Sequence, residues 1–221
     1  MAVEEIRRLL QSRAGADGAV HERRLPREKK IVVLLRDSHT GQHEVCIEAL
    51  KNVKWPDGYE VEVFTIDAQK PYAAQVNEVL ADTDTKVKIY INDDIFLVHA
   101  QAIEELLKIF QDESIGMVGF LGSASLPVSV NLMDSPYKYG AAYVPAEEDF
   151  SEMRFGTAVQ AAADVRYILP SFFATQWDIP WDESYEKQYY AVLAYCQAFE
   201  KEGYKIVVPL SENIWCAYQV K

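Results

Sequence analysis

Apolar runs of strand length alternate with stretches of helical spacing from Ile31 to Phe120, and this rhythm limits the chain to few folds. Ile31–Leu35 is a continuous apolar run, and residues 42–53 follow it as a helix. The second strand is Glu60–Ile66, where Val61, Val63 and Thr65 alternate with Glu62 and Phe64; a helix is expected over 72–80. Val87–Ile91 is the third strand, and Ile103, Leu106, Leu107 and Phe110 then share one face of a helix over 100–110. Ile115–Phe120 is the fourth. Strands separated by helices of about ten residues specify an α/β fold with a mostly parallel, doubly wound sheet and helices on both faces.

The rhythm breaks after Gly122. Residues 123–150 are rich in Pro, Tyr, Ser and Gly and carry no period, so an irregular excursion is expected there. A strand at Tyr167–Thr175, a helix over 185–202 ended by Gly203, and a last strand at Lys205–Pro209 complete the expected elements.

Before the first strand, Val3, Ile6, Leu9 and Leu10 recur at helical spacing, which predicts an amphipathic helix over 3–13 followed by a basic linker to residue 29. Residues 1–30 carry eight Lys/Arg against five acids, so the remainder holds a net −15 of the chain's −12. Residues 1–29 are therefore the expected contact for a second copy or another partner. The overall acidity, with a pI near 4.8, excludes a nucleic-acid partner, because phosphates require a basic face. Cys46, Cys196 and Cys216 are widely spaced and odd in number, which favours a reducing compartment. With no apolar signal segment and no run of membrane-spanning length, the expected location is cytoplasmic.

In an open α/β sheet, ligands bind beyond the carboxyl ends of the strands. Those positions here are Arg36-Asp37-Ser38-His39, Asp67-Ala68 and Asn92-Asp93-Asp94. Two adjacent acids at a strand end call for a cation, and hard ions such as Mg2+ or Mn2+ bind through one or two carboxylates plus substrate phosphates. Asp93 and Asp94 are thus candidate metal ligands; the competing reading makes them the cap of the helix starting near Ala100, or merely the end of a strand. GxGxxG, GxxxxGK[ST] and GxSxG are all absent, which removes dinucleotide, P-loop and serine-hydrolase readings. His39 and His43 stand near a helix start, where a capping or surface role is expected.

Five stretches, KIVVLLR, WPDGYEVEVFTIDA, KVKIYINDDIFLVHAQAIEELLKIFQDESIGMVGFLGS, FFATQWDIPW and EKEGYKIVVP, resemble the family-2-like glycosyltransferases, most closely the small bacterial group related to the StrF domain of streptomycin biosynthesis. The resemblance runs from Lys30 to about Cys216. It implies a GT-A fold over residues 30–221, with a nucleotide-binding half at 30–122 and an acceptor half at 123–221. It further implies transfer of a sugar from a nucleotide-diphospho-sugar donor, with Mn2+ or Mg2+, to an unidentified acceptor. By the same resemblance Asp93 and Asp94 hold the metal, and Arg36, Asp37, Asp67, Asn77, Asn92 and Asp93 contact the donor. The triplet Asn92-Asp93-Asp94 is only part of the usual D-x-D, which implies weaker metal binding.

The second half departs from that family's pattern. An Asp-Gly is replaced by Pro170-Ser171, an aromatic-His-aromatic-Asp element by Tyr189-Tyr190-Ala191-Val192, and a late His by Ala217-Tyr218. An inverting transferase needs a carboxylate to take the acceptor's proton, and Val192 offers none. Asp182, Glu183 and Glu186, just before the last helix, are the expected substitutes. A chain without a working base would instead be a binding or assembly module.

Overall fold

Residues 27–147, 149–156 and 161–219 are described by a computed structural model, so the expected helix over 3–13 lies outside the described residues, as does the linker up to residue 26. The first strand, β1 (Arg27–Asp37), is followed by α1 (His43–Lys51), β2 (Glu60–Asp67), α2 (Tyr72–Asp82), β3 (Thr85–Asn92), β4 (Ile95–Leu97), α3 (Ala102–Ile109) and β5 (Ile115–Gly119). Then come β6 (Leu121–Ser123), β7 (Lys138–Pro145), β8 (Phe150–Phe155), β9 (Ala162–Val165), β10 (Tyr167–Ile168), β11 (Phe172–Thr175), α4 (Gln188–Lys201), β12 (Lys205–Pro209) and β13 (Cys216–Tyr218).

The apolar runs follow from burial on both faces of one seven-stranded sheet, ordered β2-β1-β3-β11-β5-β12-β9. On one face Val32, Leu34, Tyr90 and Phe173 pack with Val76 of α2 and Val192 and Phe199 of α4. On the other, Ile31, Val33, Leu35, Ile89, Ile91 and Phe172 pack with Leu50 of α1 and Ile103 and Leu106 of α3. Helices therefore cover both faces. In α3, Glu104 and Glu105 in the first turn and Lys108 in the last complement the helix dipole. Gly203, at φ +83° just past α4, ends that helix as the sequence predicts. Among the described residues no helix is long and apolar enough to cross a membrane.

The sheet is mostly parallel, as expected, with five of its seven strands sharing one direction and β11 and β9 reversed. β2, β1 and β3 run parallel, as do β5 and β12, but β11 enters antiparallel between β3 and β5. Its reversal traces to Leu169-Pro170-Ser171. The expected single strand over 167–175 is cut there, because proline cannot donate to a ladder, and β10 and β11 join different sheets.

Nor is the segment after Gly122 irregular throughout. It contributes to a second sheet, ordered β10-β6-β7-β13-β4 with β8 added on β7. β5 continues through Phe120 into β6, so the two sheets share one chain path at that residue. Gly140 of β7 makes the junction possible: it sits at φ +112°, and a Cβ there would stand 2.0 Å from the Phe120 carbonyl oxygen. Gly140→Ala should therefore cost about 2–4 kcal/mol, lowering Tm by roughly 5–15 °C in calorimetry. An unchanged Tm would show that the junction yields without strain.

Candidate functional site

β1, β2 and β3 end in register, with Asp37 paired to Asp67 and Arg36 to Asn92, so their carboxyl ends line one crevice. Beyond β3 the chain turns through Asp93 and Asp94 into β4. Asp93 is buried, 1% exposed, although it carries a carboxylate. Burial is tolerable because Ser38 donates twice to its Oδ2, from the main-chain N–H and from the hydroxyl, at 2.8 Å each. The Asp93 N–H donates to the Arg36 carbonyl at 3.1 Å, tying the two turns together.

The C-terminal strand closes the motif from the other side. Gln219 donates its N–H to the Asp94 carbonyl and its side-chain amide to the Asp93 carbonyl, both at 2.9 Å. Asn92 donates its N–H to the Ser171 carbonyl at 2.9 Å and accepts from the Gln188 amide at 2.8 Å. The Tyr218 and Ser171 hydroxyls lie 3.2 Å apart. Burial, with the charge of Asp94 adding, pushes the Tyr218 hydroxyl pKa up to about 12. Two positions where the sequence departs from its resemblance, Ser171 and Tyr218, thus meet beside Asp94.

His39 bridges the other acids of the crevice. Its backbone is left-handed, φ +58°, which is costly for a residue with a Cβ and is often found at functional sites. Its Nε2 lies 2.8 Å from Asp67 Oδ1, its Nδ1 3.7 Å from Asp37 Oδ2, and its N–H donates to Asp37 Oδ1 at 2.8 Å. The hydrogen bond to Asp67 raises the His39 pKa, aided by the charges of Asp37, Asp67 and Asp93. The same bond, with the Gln69 N–H, lowers that of Asp67. Gln75 fixes the Asp67 backbone with two further bonds of 2.9 Å.

Arg36, Asp37, Asp67, Asn92, Asp93 and Asp94 are thus brought together, whereas Asn77 is not among them. Its amide donates to the Trp181 carbonyl at 3.0 Å and to Glu183 Oε1 at 2.8 Å, and its carbonyl accepts the Trp181 N–H at 2.9 Å. Asp182 accepts from the Ser184 hydroxyl at 2.6 Å and from its N–H at 3.0 Å. Glu186 has an exposed side chain, and its carbonyl accepts the Tyr72 N–H at 3.4 Å. This loop reaches the acidic motif through Gln188. Val192 is wholly buried in the core.

Ser38 stands in the strand-end run that the sequence singles out, though with no role given to it, whereas Gln75, Gln188 and Gln219 escape the sequence reading. Gln188 and Gln219 are lone polar residues whose partners Asn92 and Asp93 lie 96 and 126 residues away, while Gln75 reaches Asp67 only eight residues back from a helix that carries no motif. Among the described residues no three His, Cys, Asp or Glu form a metal cage. The oxygen donors of Asp93 and Asp94 nevertheless fit a hard divalent ion whose remaining ligands are phosphates and water.

A profile described as "Glycosyltransferase like family" matches residues 32–221. No curated protein matches the sequence. Among solved structures, the mannosyltransferase PcManGT from Pyrobaculum calidifontis, in complex with GDP-Man and Mn2+, is similar, with 10% identity and a TM-score of 0.56 over 100% of this chain and 69% of that one. TarS residues 1–349 from S. aureus give 9% identity and a TM-score of 0.47 over 86% of this chain and 60% of that one. At that identity the likeness to PcManGT speaks to the fold alone, which is of the GT-A type.

The His39–Asp67 pair has a defined pH window. The His39 contribution to stability is full below its ordinary pKa of 6.5 and fades as pH rises through the raised folded value. Asp67 contributes fully above 3.8, and its contribution fades as pH falls through the lowered folded value. An NMR titration should find the His39 ring titrating above 6.5 and returning toward it in Asp67→Asn. The same midpoint in both proteins would show that the bond does not form in solution.

Proposed function

The chain belongs to the glycosyltransferase-like family, and from that membership we propose that it binds a nucleotide-diphospho-sugar with Mn2+ or Mg2+ and transfers the sugar to an acceptor. The observation that carries this reading is the in-register ending of β1, β2 and β3, which gathers Arg36, Asp37, Asp67, Asn92, Asp93 and Asp94 along one crevice. Asp94 and Asp93 hold the divalent ion against the diphosphate. Asp37 and Asp67 accept hydrogen bonds from the ribose and base, while Arg36 and Asn92 complete the donor contacts. A bound divalent ion supplies charge neutralisation for the departing diphosphate. The nucleotide half is residues 30–122 and the acceptor half 123–221.

Glu186 takes the acceptor's proton in this reading. Ser184 already occupies the Asp182 carboxylate and Asn77 that of Glu183; Glu186, exposed like both, stands two residues before Gln188, which touches Asn92. A general base of this kind is worth about 100- to 10,000-fold in rate.

A thermal-shift screen of uridine, guanosine and thymidine diphosphates and their sugar conjugates, with and without Mn2+, tests the donor site. A ligand at 100 times its Kd adds about 2.7 kcal/mol, which should raise Tm by roughly 5–10 °C in wild type and not in Asp94→Ala. A flat response to every nucleotide would overturn the reading. Glu186→Gln should keep the shift and lose at least about 100-fold in transfer. Unchanged transfer would remove Glu186 from its role, and binding without transfer or donor hydrolysis in wild type would leave a binding module.

A further inference from the structure

We propose that Gln219 is a positioning residue for the metal and diphosphate site, holding the backbone of both acids in the conformation that presents their carboxylates. The inference rests on the donor-site reading above. Its starting point is register: β13 pairs antiparallel with β4, Tyr218 facing Ile95 and Ala217 facing Phe96, so the next residue falls opposite Asp94. The ladder accordingly continues one step beyond β13, with the Gln219 N–H donating to the Asp94 carbonyl at 2.9 Å. The side chain then folds back by one residue and donates from Nε2 to the Asp93 carbonyl, also at 2.9 Å. One residue from the C-terminal end of the described chain therefore holds two consecutive carbonyls of the acidic turn.

The other anchors of the turn act elsewhere. Arg36 and Ser38 grip the Asp93 N–H and carboxylate from the β1 side, and the Ser171 carbonyl, just before β11, accepts the Asn92 N–H. Gln219 donates to the carbonyls of both Asp93 and Asp94. The direction of a short aspartate side chain follows its backbone dihedrals closely, so pinning both carbonyls fixes where both carboxylates can reach. Outer partners of metal-binding groups act in this way, and their loss usually lowers metal affinity by about 10- to 100-fold.

The side chain can be removed without the ladder. Gln219→Ala keeps the main-chain bond to Asp94 and deletes the bond to Asp93. Mn2+ is titrated alone and with uridine, guanosine or thymidine diphosphate, and binding is read as loss of the free-ion signal in electron paramagnetic resonance, well below each variant's Tm. Wild type should bind Mn2+ and Asp94→Ala should not. Gln219→Ala should bind about 10-fold or more weakly, with Tm close to wild type. Wild-type binding abolished by Asp94→Ala but held within about twofold in Gln219→Ala would overturn the role of Gln219 and leave the donor site intact. A wild type that takes up no Mn2+ under any of these conditions would overturn both. A lowered Tm with unchanged Mn2+ affinity would mark Gln219 as structural support only and also overturn the proposal.

Discussion

The Asp93 carboxylate is almost fully buried at the meeting of two turns, and its acceptance of both Ser38 donors is the interaction on which the crevice depends. A carboxylate out of water without partners costs several kcal/mol, so β3 can end in a buried acid only if the β1 turn folds over it. Once it does, the Arg36 carbonyl meets the Asp93 N–H and the two strand ends are fixed to each other. The neighbouring Asp37 and Asp67 follow from the parallel register of β1 with β2. A single buried charge thereby sets the mouth of the sheet, and the sequence Ser38-His39 acquires its strained geometry in consequence.

That geometry also explains how so acidic a rim holds together. Asp37, Asp67, Asp93 and Asp94 crowd one end of the sheet, and His39 meets two of them from a left-handed backbone. Bridging offsets both the strain and the repulsion, because the imidazole is most useful where it is charged, and the acids raise its pKa. His39 meets Asp37 and Asp67, so the repulsion that remains at Asp93 and Asp94 is what a divalent ion there would relieve. Acid pairs of this kind are poor scaffolding and good binding sites.

The first sheet was legible in the sequence because its strands are buried on both faces and read as apolar runs. Lys88 shows how strong that signal is: it interrupts the Val87–Ile91 run, lies 1% exposed in the core beside Asp178, and burial lowers its pKa, yet the strand is plain from its neighbours. The second sheet left no such trace. β4, β6, β10 and β13 have three residues or fewer, too short for any period, and their pairings join positions as remote as Leu97 and Cys216. The same distance hid Gln219 and Gln188, whose partners lie more than 90 residues away. The acids of the site could be read because each follows a recognisable strand, whereas the residues that hold them could not.

Position 192 illustrates how packing decides where chemistry can sit. The resemblance calls for a carboxylate there, on the last helix. Val192 instead lies wholly inside the cluster formed by Trp181, Tyr195 and Phe199, with Trp181 stacked 3.8 Å from the Tyr195 ring. A charge placed amid those rings would lose its solvation, so an acid restored there would cost stability before it could serve catalysis. The aromatic stack has a second effect, since Trp181 anchors the start of the 181–187 loop and Asn77 binds it on both backbone atoms. A loop fixed at Trp181 and again at Gln188 keeps its intervening acids within a narrow range of positions. The proton acceptor that the proposed transfer requires is therefore to be sought on that loop, in Glu186, rather than on the helix that follows it.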